Sequence, residues 1–389
     1  MDTRAYMTKT IMVKRKNPVF DEDKWVVGLD MGYSSIKNFG PNAYNQVPFY
    51  VKKLPKDNIS LGRPNNTDIL YRDTNTGDVY AVGERALSMI SIESTNDSNE
   101  TMYGRNRYFS EMFYISSRVG LGLCLRKNDF GDPTGKHIVC QTGLPPKYSK
   151  SDAPLLREAL AQDYDFDLKI GNGDWEHFEF SLTPSDIMIT YQPMGSMISI
   201  AIDKNGRSTS DANKLFHSNI LVFDPGFKTG DTCLIKKGNI NPALCQTIDR
   251  LSMISVLQRT SDEIRDRYGV EIPVPAMQSY LEDGRIVKYD SRTFASEKYD
   301  FGPILEAKSR EVCNEAFSQL GQLYNFSTIN SLVLTGGTGA AWDEMFKKRF
   351  EANHNLSIIP GNRNDDIPRS LANVRGYYMY AINDGKILI

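Results

Sequence analysis

One short pattern occurs twice in this chain, at two widely separated places. Residues 25–29 form an apolar run that leads into Asp30-Met31-Gly32, and residues 220–223 form another that leads into Asp224-Pro225-Gly226. Each run has the length of a buried strand, and the glycine lets the backbone turn tightly so that its N–H groups can approach a ligand. Two such turns that face each other would hold a polyphosphate from both sides. The repeat therefore predicts a nucleotide clamp.

Charge and length narrow the class of protein. The chain has 389 residues, with 46 Lys and Arg against 48 Asp and Glu, and a formal charge of −2. This balance argues against direct, non-specific binding to DNA, and no apolar run approaches the roughly 18 residues of a membrane span. The five cysteines are scattered, which argues against a disulfide framework and a cysteine-rich metal site. We therefore expect a soluble, cytoplasmic protein that does not bind a membrane.

Strand-like and helix-like segments alternate along most of the chain, which predicts an α/β architecture. At about 100–200 residues per domain, the length favours two domains with one cleft between them. A polar break at residues 203–206 precedes the second clamp strand and marks the domain boundary. The predicted divisions are a flexible N-terminal extension at 1–24, a first domain at 25–205 with a small subdomain at about 41–107, a second domain at 206–371, and a C-terminal helix at 372–389 that returns to the first domain.

A glycine-rich turn in the second half is a further candidate ligand site. A strand predicted at residues 331–335 leads into Gly336-Gly337-Thr338-Gly339, and a helical stretch follows at residues 340–350. Because a helix start offers unpaired N–H groups and a positive dipole end, this turn suits the phosphate and sugar of a nucleotide. Taken alone each motif is weak: an Asp-x-Gly after a strand is often only a turn, and the glycines could instead allow close packing of strand and helix.

The order of the motifs carries more information than any one of them. Between the two clamp motifs lie a strand end at Gly143-Leu144-Pro145 and a strand-to-helix junction at Gln192-Pro193, and the glycine-rich turn is followed by a helix that contains Ala372-x-x-x-Gly376. In this order the chain resembles the actin-like ATPase superfamily, and within it the bacterial plasmid-segregation proteins of the ParM/StbA type. The resemblance spans roughly residues 25–385.

The resemblance implies an actin-like fold, which is a duplicated, ribonuclease H-like fold of two domains with the nucleotide cleft between them. Residues 143–145 resemble the first connecting segment of that family and residues 372–376 the second. The residues that it implies at the nucleotide are Gly32, Tyr33, Ser34, Ser35 and Lys37 in the first phosphate motif, Gly226, Phe227, Lys228 and Thr229 in the second, and Gly336, Gly337 and Thr338 in the adenosine motif. Phe227 and Lys228 are larger than the residues usual there.

The expected chemistry is phosphoryl transfer to water, which needs charge neutralisation and positioning rather than covalent catalysis. Mg²⁺ prefers oxygen ligands and keeps several waters, so we expect Asp30 and Asp224 to hold it through water. Lys37 would supply a point charge to the phosphates, and Gln192 and Asp224 are the candidate catalytic residues, with Gln192 orienting the attacking water. Lys37 as an ordinary surface lysine and Gln192 as a helix-entry residue remain alternatives. The nucleotide is ATP, with GTP as an alternative.

The resemblance implies a nucleotide-dependent, filament-forming ATPase that segregates plasmid DNA. Head-to-tail contacts that do not close into a ring generate a helical filament. Contact with DNA would be indirect, through a small DNA-binding adaptor of the ParR type. Two alternatives remain: a non-polymerising actin-like scaffold ATPase, and a phosphotransferase of the sugar or acetate kinase type on the same fold. The four histidines show no zinc-type spacing.

Overall fold

The computed structural model describes residues 2–56, 64–89 and 105–385. The strands are β1 (Ile11–Lys14), β2 (Lys24–Met31), β3 (Ser35–Phe39), β4 (Ala43–Pro48), β5 (Val51–Lys53), β6 (Ile69–Asp73), β7 (Val79–Val82), β8 (His137–Leu144), β9 (Asp163–Ile170), β10 (Trp175–Ser181), β11 (Ile187–Tyr191), β12 (Asn219–Pro225), β13 (Thr229–Lys236), β14 (Asn239–Asp249), β15 (Arg285–Tyr289), β16 (Ser296–Asp300), β17 (Ser331–Leu334) and β18 (Ser357–Pro360). The α-helices are α1 (Glu84–Leu87), α2 (Glu111–Cys124), α3 (Pro146–Leu160), α4 (Gln192–Ala201), α5 (Ala212–Phe216), α6 (Met253–Tyr268), α7 (Val274–Tyr280), α8 (Gly302–Leu323), α9 (Gly336–Arg349) and α10 (Ala372–Ile382). Short 3-10 helices lie at Thr3–Tyr6, Arg105–Phe109, Pro184–Asp186 and Arg369–Leu371.

The first half of the chain is built on a six-stranded sheet with the order β1-β4-β3-β2-β8-β11. β2, β3 and β4 are antiparallel neighbours, whereas β8 and β11 extend the sheet in parallel. β2 is buried along nearly its whole length because helices cover both of its faces. Val27 and Leu29 pack in one apolar core with residues of α2, and Val26 packs on the opposite face with residues of α10.

The second half repeats the same arrangement. Its five-stranded sheet has the order β14-β13-β12-β17-β18, with three antiparallel strands first in the chain and two parallel strands added afterwards. If β1 is left out and the strands of each sheet are numbered by their position along the chain, both sheets have the strand order 3-2-1-4-5. Each clamp motif lies at the end of the central strand of its sheet, β2 in one half and β12 in the other. The duplication inferred from two short motifs therefore extends to the whole sheet topology.

A smaller five-stranded sheet belongs to the first half, with the order β10-β9-β6-β7-β5. The sequence predicts a local subdomain at about 41–107, part of which lies outside the described residues. In the structure β4 belongs to the main sheet instead, and β9 and β10 complete the small sheet from much later in the chain. This difference arises because β6 pairs antiparallel with β9, so that Ile69 lies opposite Ile170. Local sequence patterns carry no information on such long-range pairing.

The N-terminal segment contacts both halves. Thr3 Oγ1 donates a 2.7 Å hydrogen bond to Leu281 O, and Tyr6 OH lies 3.1 Å from Ser309 Oγ, both in the second half. A few residues later β1 pairs with β4 at the edge of the first sheet. The sequence predicts a flexible extension at residues 1–24, whereas the structure packs this part of the chain, from residue 2 onward, against both halves. The difference again comes from partners far away in the sequence.

Helices α4 and α10 cross at a contact between two glycines. A Cβ on Gly376 would lie 1.7 Å from Gly195 O, so both positions need glycine for this close approach. α10 also packs against the first sheet, where a Cβ on Gly28 would lie 2.6 Å from Val374 O. The predicted C-terminal helix at 372–389 is helical from Ala372 to Ile382, and residues 386–389 lie outside the described residues.

Cys233 and Cys245 face each other on β13 and β14 and form a disulfide. The other three cysteines are buried thiols. The scattered spacing gives no sign of this pairing, because it depends on the register of two strands. Within the described residues, no helix has the length and apolar character needed to cross a membrane.

Candidate functional site

A cavity of about 370 Å³ lies between the two halves. Its volume falls within the roughly 300–1,000 Å³ typical of small-molecule sites. Both phosphate motifs, the glycine-rich turn and Gln192 line it, so the structure brings together all the residues that the sequence places at the nucleotide. Their roles there remain predictions.

The first phosphate loop joins β2 to β3. Asp30 and Lys37 are directly opposite each other on the two strands, and Lys37 Nζ lies 3.1 Å from Asp30 Oδ2. The Asp30 carboxylate is buried. Between them the chain turns tightly, since a Cβ on Gly32 would lie 2.9 Å from Ser35 O. Lys37 is therefore held inside the cleft by a buried carboxylate, which disfavours its alternative interpretation as an ordinary surface lysine.

The second phosphate loop joins β12 to β13 and carries the buried carboxylate of Asp224. Asp224 Oδ2 accepts hydrogen bonds from Asn373 Nδ2 at 2.6 Å and from Gln192 Nε2 at 3.3 Å. Burial raises the pKa of the Asp224 carboxyl, and the nearby Asp30 raises it further, while Lys37 and the two amide donors oppose the shift. Lys37 therefore acts as a cation on both buried carboxylates.

Asp30 and Asp224 are the residues that would hold a magnesium ion at this cavity. Among the described residues, no group of three or more His, Cys, Asp or Glu side chains could hold a metal directly. Two carboxylates, Asp30 and Asp224, are a small ligand set, which suits an ion that keeps several of its waters. Bound there, Mg²⁺ would neutralise negative charge on the phosphates and on the two carboxylates.

The glycine-rich turn closes over the second phosphate loop. Gly336 has φ +74°, and a Cβ there would lie 2.4 Å from Asp224 Oδ1, so both conformation and space require glycine. Thr338 Oγ1 donates a 2.9 Å hydrogen bond to Gly226 O. The first turn of α9 therefore lies directly beside the second loop, where its N–H groups can face a phosphate or sugar.

Several residues of the cleft were not predicted from the sequence. Asn373 lies inside the predicted second connecting segment, residues 372–376. The sequence predicts a helix there but does not predict the hydrogen bond from Asn373 to Asp224. Asp231, by contrast, is the last residue of the second phosphate motif that the sequence shows. It lines the cleft, where burial raises its pKa to about 7 although Thr247 Oγ1 donates to it at 2.6 Å. Arg107 and the N-terminal residues 5–9 also line the cavity, and no short motif marks either of them.

The duplicated sheet topology, with one Asp-x-Gly loop from each half at a shared cleft, is that of an actin-like fold. Residues 28–195 match the family model of the N-terminal domain of actin-like proteins. No curated protein matches the chain.

Solved structures agree with this class. One is a non-polymerisable quadruple mutant of pCBH ParM, with a TM-score of 0.70 and 22% identity over 92% of this chain and 99% of that chain. A 15-stranded ParM filament from Clostridium botulinum has a TM-score of 0.70 and 19% identity, covering 93% and 99% of the two chains. Ta0583, an archaeal actin homolog, has a TM-score of 0.63 and 15% identity, covering 92% and 99%. The predicted resemblance and the actin-like fold are therefore confirmed.

Proposed function

We propose that this chain is a filament-forming actin-like ATPase that binds and hydrolyses ATP, with GTP as an alternative, in the cleft between its halves. One observation carries the proposal: the buried carboxylates of Asp30 and Asp224, one from each phosphate loop, meet at the same cavity beside Lys37 and Gln192. A site made by both halves couples its ligand to their relative position, because a ligand that touches both stabilises the closed form.

In this proposal the backbone N–H groups that follow Gly32 and Gly226 hold the phosphates, and Lys37 adds a positive charge. Asp30 and Asp224 hold Mg²⁺ through water. Gln192 donates its amide N–H to Asp224, so its amide oxygen can accept a hydrogen bond from the attacking water and orient it. A glutamine is a poor base, and this suits hydrolysis better than the activation of a sugar hydroxyl.

Assembly into a filament is the second part of the proposal. It is supported by the fold shared with ParM proteins, one of which is described as a 15-stranded filament. We further propose that the filament segregates plasmid DNA through a small DNA-binding adaptor of the ParR type. The formal charge of −2 suits indirect contact with DNA better than direct binding.

Light scattering and high-speed pelleting test the assembly, with Mg²⁺ and ATP, GTP, ADP or no nucleotide at several protein concentrations. Scattering that rises above a critical concentration only with triphosphate, and decays as phosphate is released, is the expected result. Hydrolysis without assembly would instead favour the scaffold or phosphotransferase alternative. Absence of both nucleotide binding and hydrolysis would refute the proposal.

Substitutions in the cleft test the assigned residues. Asp224→Ala should lower hydrolysis by about 100-fold or more, the scale of losing one electrostatic contact to a transition state. Gln192→Ala should slow hydrolysis more than it weakens nucleotide binding, because its role is to orient water. Asp266→Ala is the matched control, since its carboxylate is exposed on α6 with 69% of the side chain accessible. Wild-type turnover in both cleft variants would remove the assignment.

A further inference from the structure

Two cations share one aromatic ring at the phosphate end of the cleft. Arg107 lies in the 3-10 helix between α1 and α2 of the first half, Tyr33 follows the first Asp-x-Gly motif, and Lys228 lies in the second phosphate loop. The guanidinium carbon of Arg107 lies 4.4 Å from the centroid of the Tyr33 ring, and Lys228 Nζ lies 4.8 Å from the same centroid. A cation from each half therefore meets on a single side chain.

Arg107 is buried without a compensating anion from the described residues. Only 7% of the residue is accessible, and Nη2 donates to Met31 O. Nη1 is buried and has no hydrogen-bond partner, and no carboxylate of residues 2–56, 64–89 or 105–385 forms an ion pair with this guanidinium. A buried charge is unfavourable unless it is paired and hydrogen-bonded. Among the residues that the structure describes, the Arg107 guanidinium therefore has one unsatisfied buried nitrogen and no carboxylate in an ion pair with it.

The positions of Arg107 and Lys228 indicate which part of a nucleotide would supply a negative charge to them. Met31, which accepts from Arg107, is the residue before Gly32 of the first loop, and Lys228 lies between Gly226 and Thr229 of the second. Both cations line the cleft. Burial lowers the pKa of Lys228, the carboxylate of Asp249 opposes this shift, and the charge of Arg107 adds to it, so the two cations repel each other across the ring. A phosphate placed between the loops would relieve this repulsion.

We propose that Arg107 and Lys228, both stacked on Tyr33, contact the terminal phosphate of the bound nucleoside triphosphate. The inference rests on the proposed function. It adds Arg107, which lies outside the phosphate motifs, and gives Lys228 of the second motif a specific partner. Arginine suits this role because its planar group can donate two parallel hydrogen bonds to a phosphate. Arg107 and Lys228 come from different halves, so the terminal phosphate of a triphosphate would connect the halves. A diphosphate lacks this phosphate and would not connect them.

The test is the ratio of affinities for a non-hydrolysable ATP analogue and for ADP, measured by calorimetry at protein concentrations below assembly. Arg107→Gln should weaken binding of the triphosphate analogue by at least about tenfold, the effect of one hydrogen bond to a charged group, and leave ADP nearly unchanged. Arg107→Lys should recover part of the loss, because it keeps the charge but not the planar fork. Arg126→Gln is the matched control, since Arg126 pairs with Glu176 in the same half.

The ratio separates this contact from a structural role. If Arg107 only supports the first loop through Met31 O, both nucleotides weaken equally and the inference is refuted. Should Arg107→Gln fail to fold, Lys228→Gln reports on the same ratio, because Lys228 is only partly buried. An unchanged ratio in Lys228→Gln would also refute it. Failure of the wild type to bind either nucleotide would refute the proposed function itself, a result that differs from every variant-specific outcome.

Discussion

Replacing Gly376 with alanine should pull helices α4 and α10 apart. The new Cβ would lie 1.7 Å from Gly195 O, which is 1.3 Å short of the 3.0 Å that real Cβ contacts respect. The atoms that it meets are helical backbone, so no side chain can rotate away. Overpacking of this kind costs about 1–3 kcal/mol or more. Alanine regains about 1 kcal/mol in helix propensity. An approach of 1.7 Å to backbone puts the cost at the upper end, about 3 kcal/mol, so we expect a net loss of about 2 kcal/mol in the free energy of unfolding.

Urea denaturation followed by circular dichroism measures this loss, and the chain offers a matched control. Gly321 lies in α8, and a Cβ there would meet nothing within 4 Å. Gly321→Ala should therefore keep the propensity gain, which is at most about 1 kcal/mol, and raise the unfolding midpoint. If Gly376→Ala were as stable as the wild type, or were stabilised like Gly321→Ala, the close helix crossing would be refuted.

Three further changes test other parts of the structure. Burial raises the pKa of Asp231 to about 7 from 3.8. Between these two pH values the folded chain binds one more proton than the unfolded chain, so its stability falls as the pH rises. Asp231→Asn should therefore become more stable relative to the wild type as the pH rises from about 4 to about 7, measured by thermal unfolding. Asp365→Ala leaves the buried guanidinium of Arg375, 2.8 Å away in the wild type, without its partner, and should cost about 3–5 kcal/mol in urea denaturation. Tyr6→Ala should cost about 3 kcal/mol in the same assay, because Tyr6 packs in the second-half core, whereas an unaffected midpoint would mean that the N-terminal segment is detached.

The parts of the fold that sequence predicts well are those specified locally. The apolar run before each Asp-x-Gly depends only on neighbouring residues, and so does the helical spacing that predicts helices near residues 251–268 and 303–324. The structure has strands and helices at these places. The small sheet was predicted poorly because β6 finds its partner in β9, about 100 residues later in the chain. The N-terminal segment is a similar case, since Tyr6 contributes little locally and packs against Ser309.

The same distinction applies to the cleft. Gly32 and Gly336 are recognisable because a tight turn restricts the backbone to glycine, so the requirement is visible in the residue itself. Asn373 and Arg107 are not recognisable in this way, because each side chain contacts a residue that is far away in the sequence: Asn373 contacts Asp224, and Arg107 contacts Met31. An asparagine inside a helix, or an arginine before one, has many uses, and only the folded arrangement selects one. The predicted motifs therefore locate the cleft, whereas the contacts of Asn373 and Arg107 can be identified only from the folded structure.

Asp224 connects the nucleotide cleft to the crossing of α4 and α10. Its Oδ2 accepts from Gln192 at the start of α4 and from Asn373 in α10. Ser196 Oγ, in the next turn of α4, lies 2.5 Å from Asn373 Oδ1 and 2.8 Å from Thr335 Oγ1, so the network continues to the residue before the glycine-rich turn. A ligand that changes the hydrogen bonds of Asp224 therefore acts on side chains from both α4 and α10. Because Gly376 of α10 meets the backbone of Gly195 in α4, no side chain at this contact can rotate to absorb a small shift between the helices.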